Sequence, residues 1–143
     1  MVKLLLNLGS ERYNQVMIKA FNLLGLYTKD IEDSVAFYKA LGFEVVSNDG
    51  SVAEVMLNKM RIQFVAQETA RDQDESFQQD AFGEPKGTGV YINIEVDKID
   101  DYYNQLIADG IKASTKPRNW PWGQREFVVR DPDRYKLVFY QKI

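Results

Sequence analysis

The sequence predicts an α+β fold built from two tandem βαβββ modules, and two observations carry that reading. A helix-like block, acidic at its start and closed by a glycine, occurs twice with a spacing of 68 residues. Each copy is preceded by one strand-like segment and followed by three. A chain of 143 residues is long enough to bury a core around such a pair without a disulfide or metal staple.

The first copy begins at Asp30-Ile31-Glu32-Asp33 and ends at Leu41-Gly42-Phe43; the second begins at Lys98-Ile99-Asp100-Asp101 and ends at Asp109-Gly110-Ile111. Acidic side chains in the first turn complement the positive end of a helix dipole. Ile99, Tyr102, Tyr103, Leu106 and Ile107 follow the spacing of one buried helix face, and Ile31, Val35 and Tyr38 follow it in the first copy. Gly42 and Gly110 supply the left-handed residue that stops a helix, and the apolar residue after each packs back.

The strand before the first helix holds Leu24 and Leu26 alternating with Leu23, Gly25 and Tyr27. The strand before the second holds Ile92, Ile94 and Val96 alternating with Tyr91, Asn93 and Glu95. After the first helix, strands are expected over 44–47, 52–57 and 61–66, with Asn48-Asp49-Gly50 turning the first pair. After the second they are expected over 112–114, 125–130 and 136–141, with Asp131-Pro132-Asp133 turning the last pair and capping backbone amides. The resulting division is an N-terminal extension over 1–16, a first module over 17–66, a linker over 67–89 containing about one helical turn, and a second module over 90–143. Met17 is itself a plausible start, and 1–16 reads as a tail.

Composition narrows the functional classes. With no cysteine and no histidine, Ser-His and Cys-His nucleophiles are ruled out. A net charge of −3 argues against a nucleic-acid surface and would tolerate a cationic ligand. Leu4-Leu5-Leu6-Asn7-Leu8 is too short for a signal core or a membrane span, so the chain is expected to be cytoplasmic and off the membrane. Gly87-Thr88-Gly89 lacks the third glycine and the following helix of a phosphate-binding loop.

Asp30 to Phe43, with its Phe37-Tyr38 and Leu41-Gly42-Phe43, resembles the first helix of the glyoxalase/bleomycin resistance/dioxygenase (vicinal oxygen chelate) superfamily. Trp122-Gly123-Gln124-Arg125-Glu126-Phe127, running into Arg130-Asp131-Pro132-Asp133, resembles the last hairpin of its bleomycin-resistance branch. The resemblance covers roughly residues 20–141. It implies modules that curl mixed sheets around a shared cavity, and a homodimer, sometimes with exchanged modules. The family turn ends in glycine where Arg134 stands here, and a slightly altered turn is expected.

Enzymes of the superfamily hold a divalent metal through His, Gln or Glu, and the resistance proteins bind a drug without changing it. The matching ligand positions here are Leu23, Tyr91 and Val138. Leucine and valine offer no donor to a divalent ion, and neutral tyrosine a weak one. The expectation is a protein without metal or other cofactor. Glu95, Glu126 and Gln63 are the oxygen donors left for an atypical site, although strand carboxylates are mostly solvated or paired.

By strand parity Tyr91, Asn93, Glu95, Leu23, Gly25, Tyr27, Lys136, Val138 and Tyr140 face the cavity, a mostly apolar and aromatic lining. Trp120-Pro121-Trp122 is expected on a loop, where its rings either clamp a planar ligand or plug the core or a subunit interface. The residues assigned to ligand binding are Trp120, Trp122, Tyr91, Asn93, Glu95, Tyr27, Gln63, Glu126 and Tyr140; none is assigned to catalysis. The expected function is metal-independent binding of a small planar or hydrophobic molecule, such as antibiotic sequestration. The alternatives are a lyase, isomerase or dioxygenase of the same superfamily with an atypical site, and a protein-interaction module with a filled cavity.

Overall fold

Asp30 opens the first helix, α1 (Ile31–Leu41), by accepting the Asp33 amide at 3.0 Å, and Gly42 closes it at φ 110°. That left-handed residue lets the Phe43 amide reach back to the Tyr38 carbonyl at 3.0 Å. The computed structural model describes residues 17–143, so the expected extension over 1–16 lies outside the described residues. Around α1 stand β1 (Leu24–Thr28), β2 (Glu44–Asn48), β3 (Val52–Leu57) and β4 (Met60–Ala66). The second module repeats the order with β5 (Tyr91–Glu95), α3 (Ile99–Ala108), β6 (Arg118–Trp120), β7 (Gln124–Arg130) and β8 (Lys136–Lys142).

The two sheets have the same strand order, β1-β4-β3-β2 and β5-β8-β7-β6. In each, the strand before the helix pairs in parallel with the last strand and the other pairs are antiparallel, so both sheets are mixed. One face of each sheet packs on its helix. Tyr38, Phe64, Ile99, Phe127 and Phe139 are buried to within 1% in one core shared by both modules.

The joint between the modules is polar and built largely from one turn. Asp131 takes the Asp133 and Tyr135 amides on Oδ1, both at 2.9 Å, and the Tyr38 hydroxyl on Oδ2 at 2.8 Å. Asp133 accepts the Lys29 amide at 2.9 Å and the Thr28 hydroxyl. The Tyr102 hydroxyl donates to the Leu41 carbonyl at 2.8 Å and that of Tyr135 to the Tyr27 carbonyl at 3.0 Å. The aspartates therefore cap amides as expected, and in addition fasten the second module to the first.

Several expectations are corrected. The stretch 112–114 forms only an isolated bridge, Ala113 to Val129, and the strand comes later, at β6. Pro117 has no amide to give a ladder, and the Thr115 hydroxyl accepts the Val128 amide at 2.9 Å, so pairing breaks and resumes at Arg118. Trp120 therefore ends a strand rather than sitting on a loop, and Pro121, Trp122 and Gly123 make the hairpin turn. Ile107 is 44% exposed: one residue past Leu106 rotates it off the Ile99–Leu106 line. The linker holds more than one helical turn, with a 3-10 segment at Gln67–Ala70 and helix α2 (Glu75–Phe82), capped by Asp74. Arg134 keeps a left-handed φ of 74°, so the turn geometry survives without glycine.

Candidate functional site

The face of the second sheet away from α3 is set by alternation along three strands. Register places Tyr91 beside Lys136, Asn93 beside Val138 and Glu95 beside Tyr140; across β8, Val138 meets Val128 and Tyr140 meets Glu126. β6 adds Trp120 beside Gln124 and Arg118 beside Glu126. A hollow of about 330 Å³ on this face is lined by Tyr91, Asn93, Trp122, Gln124, Glu126, Lys136 and Val138. Of the residues expected at a site, Tyr91, Asn93, Trp122 and Glu126 line this hollow and Glu95, Tyr140 and Trp120 do not; Gln124 lines it unexpectedly, and with Asn93, Glu126 and Lys136 it makes the wall more polar than the expected lining. The parity that marks Glu126 would have found Gln124 two residues upstream.

The aromatic groups of this face are stacked and exposed. Trp120 and Trp122 lie 4.8 Å apart with planes 9° from parallel, and the Arg118 guanidinium sits 3.8 Å from the Trp120 ring centre. The two indoles therefore cover each other, with no slot between them for a ligand ring. Trp122 is 61% exposed and Tyr91 64%, and an exposed aromatic face on a concave wall is suited to stacking a planar group. The Trp122 indole N–H donates to Glu126 Oε1 at 3.0 Å, holding that carboxylate in the wall, and outside the hollow the Tyr140 hydroxyl donates to Glu95 Oε2 at 3.3 Å.

Tyr27 and Gln63 belong to the other sheet. Gln63 pairs with Gly25 and Tyr27 with Val65 on the face of the first module away from α1, and neither lines the hollow on the second. On that first-module face Glu54 is 7% exposed and is held by both oxygens to Arg61 Nη2, at 2.6 and 2.8 Å. A separate apolar groove of about 410 Å³ runs between the modules, with Leu24, Phe43, Leu57, Ile62, Ile92 and Ile94 among its walls. The strand pattern gave no sign of it, because Ile92 and Ile94 read as helix-facing.

The side chains present do not fit a divalent metal. Val138 lies between Asn93 and Val128, and the Lys136 ammonium stands 5.9 Å from the ring centre of Tyr91. Among the described residues no three acidic, histidine or cysteine side chains gather into a ligand set. Glu95 and Glu126 flank Tyr140 on either side, while Gln63 is on the other sheet. Among the described residues no helix is long and apolar enough to cross a membrane.

Comparison with known proteins agrees with the strand order. The Glyoxalase/Bleomycin resistance protein/Dioxygenase superfamily model matches residues 18–139. Bleomycin resistance proteins of Geobacillus stearothermophilus and Staphylococcus aureus are each 31% identical over 124 residues, covering 80% of this chain and 90% of theirs. Among solved structures, a glyoxalase/bleomycin resistance protein/dioxygenase from Nocardioides superposes with a TM-score of 0.75 at 25% identity, over 96% of this chain and 92% of that one. A bleomycin-binding protein complexed with bleomycin superposes with a TM-score of 0.62 at 20% identity, over 87% of this chain and 100% of that one, a likeness of fold alone. With its duplicated module, its last hairpin and these matches over most of its length, the chain belongs to the glyoxalase/bleomycin resistance protein/dioxygenase superfamily.

Proposed function

We propose that this chain is a cytoplasmic, metal-independent binding protein that sequesters a small planar or hydrophobic molecule without changing it. The observation that carries the reading is the hollow on the second sheet, where the exposed rings of Tyr91 and Trp122 flank a small apolar floor at Val138. The kinship with bleomycin resistance proteins supports it, as does a donor set poorly suited to a divalent ion. The working form is a homodimer. The hollow is walled by the second module alone, and a second copy laying its Tyr27 and Gln63 face over it would close the cleft.

The test is titration of the purified protein with bleomycin and a panel of planar aromatic compounds, reading tryptophan emission and thermal unfolding together. Saturable quenching with a rise in Tm is expected, since ligand at a hundredfold over Kd stabilises by about 2.7 kcal/mol. Silence in both readouts across the panel favours a protein-interaction module instead. The alternative is a catalytic reading, whose acid–base candidates are Glu95 and Glu126 on either side of Tyr140. Stoichiometric metal in the purified protein, or turnover of a panel compound, would establish that reading over sequestration.

A further inference from the structure

We infer that the aromatic hollow continues into an oxyanion subsite, so that the molecule bound carries a carboxylate or a phosphate at one end; this rests on the binding reading above. The β7–β8 hairpin sets Arg130 directly opposite Lys136, with Arg134 in the turn between them. Like charges at facing positions oppose sheet pairing, so an anion held between them would relieve the repulsion. Among the described residues none of the three forms an ion pair. The two carboxylates of the same turn do not serve: Asp131 and Asp133 are each 3% exposed and face the first module. Arg130 Nη1 does donate to the Arg134 carbonyl at 3.0 Å, which steadies its head over the turn while leaving its other donors open.

The opposite wall is the end of the linker. A Cβ on Gly87 would come within 2.5 Å of the Arg134 carbonyl oxygen, so this loop lies directly on the turn, and glycine is what permits the approach. Gly87 and Gly89 have no side chain to put into the space, and a hollow of about 600 Å³ is left, with Arg130, Arg134 and Lys136 among its walls. Lys86 adds no free charge, because its buried ammonium donates to the Ala81 and Gly83 carbonyls beside Glu84. Tyr91 and Lys136 line this hollow and the aromatic one alike, making them adjoining parts of one cleft. Two guanidinium forks and an ammonium around an open space match the planar or tetrahedral oxygens of an oxyanion. The rings next door select an aromatic body.

Calorimetric titration of the full chain with four naphthalene compounds of similar size tests this: naphthyl phosphate, naphthoate, naphthalenemethanol and naphthylmethylammonium. At least one anion is expected to bind about tenfold tighter than the alcohol, with the ammonium weakest, and the stronger anion tells phosphate from carboxylate. In Arg130→Gln, and in Arg134→Gly, which keeps the left-handed turn, the ratio of anion to alcohol affinity should fall by about tenfold. Alcohol or ammonium binding as tightly as both anions, or a ratio unchanged in both variants, overturns the subsite while leaving the aromatic hollow as a binding site. Binding by none of the four overturns the hollow and the subsite together.

Discussion

Asp131 sets a pH dependence that substitution can isolate. Burial pushes its carboxyl up to about 6; the Tyr38 hydroxyl and the Tyr135 and Asp133 amides pull it back, and the Asp133 charge adds to the rise. A folded-state value above that of the unfolded chain means that the native state holds this proton more tightly. The associated stability is complete below the ordinary aspartate range and is lost as pH rises through about 6. The gap from an ordinary value near 4 corresponds to roughly 2–3 kcal/mol, a magnitude applicable here because the residue is 3% exposed. Asp131→Asn removes the titration but can keep the turn, its carbonyl taking both amides and its NH2 meeting the Tyr38 hydroxyl. Urea unfolding from pH 4 to 7 should then show variant stability rising relative to the parent by about 2–3 kcal/mol across that window. Any constant offset from altered hydrogen bonding drops out of the comparison. Carboxylates held low at the surface, such as Asp100 beside Arg125 and Glu84 beside Lys29, act in the opposite direction in both proteins and also cancel. Parallel profiles would refute the claim that Asp131 is buried as a strained charge.

Arg134→Gly should stabilise the protein by about 1 kcal/mol in urea unfolding, since φ 74° costs a side chain and not glycine; a loss would show that the arginine has a stabilising contact. Tyr102→Phe removes the hydroxyl on the Leu41 carbonyl and should cost about 1 kcal/mol, with no effect on ligand-induced Tm shifts. Phe127→Ala empties a fully buried position against Phe139 and Tyr103, and a cost of about 3–5 kcal/mol is expected; a loss below 1 kcal/mol would mean the core there is not packed as described. Trp122→Ala should leave Tm within about 1 °C, because the ring is 61% exposed, yet weaken planar ligands; unchanged affinity would remove Trp122 from the site.

The parts of the fold legible in the sequence are those whose cause is local. Asp30 caps its own helix three residues on, Gly42 stops it, and the alternation of Tyr91 to Glu95 states a strand and its two faces without reference to anything distant. What escaped depends on partners far along the chain. Asp131 reads as a turn residue because it takes two amides of its own turn, but its bond to Tyr38 and the bond of Asp133 to the Lys29 amide span 93 and 104 residues. The second helix shows the same limit: no side chain at Lys98 caps it, and the Ile99 amide is taken instead by Gln141 from β8 at 3.0 Å. The misplaced strand at 112–114 failed for a subtler reason, a contest between the Thr115 hydroxyl and the backbone ladder that periodicity does not register.

The site divides along the same line. Parity sorts residues onto faces, and Tyr91, Asn93, Val138 and Glu126 do share one, but parity says nothing about which other sheet closes over them, and it gives Tyr27 and Gln63 no place on the second sheet. Charge shows the gap most clearly. A net −3 suggests tolerance of a cation, yet salt screens exposed charges beyond about 8 Å, so a ligand feels the groups around it and not the sum over the chain. At the proposed subsite those groups would be Arg130, Arg134 and Lys136, brought together by one hairpin and one glycine-lined loop. Each alone looks like an ordinary solvated cation. Register makes them a cluster, and a cluster of one sign next to exposed rings restricts the ligand far more than the overall composition does.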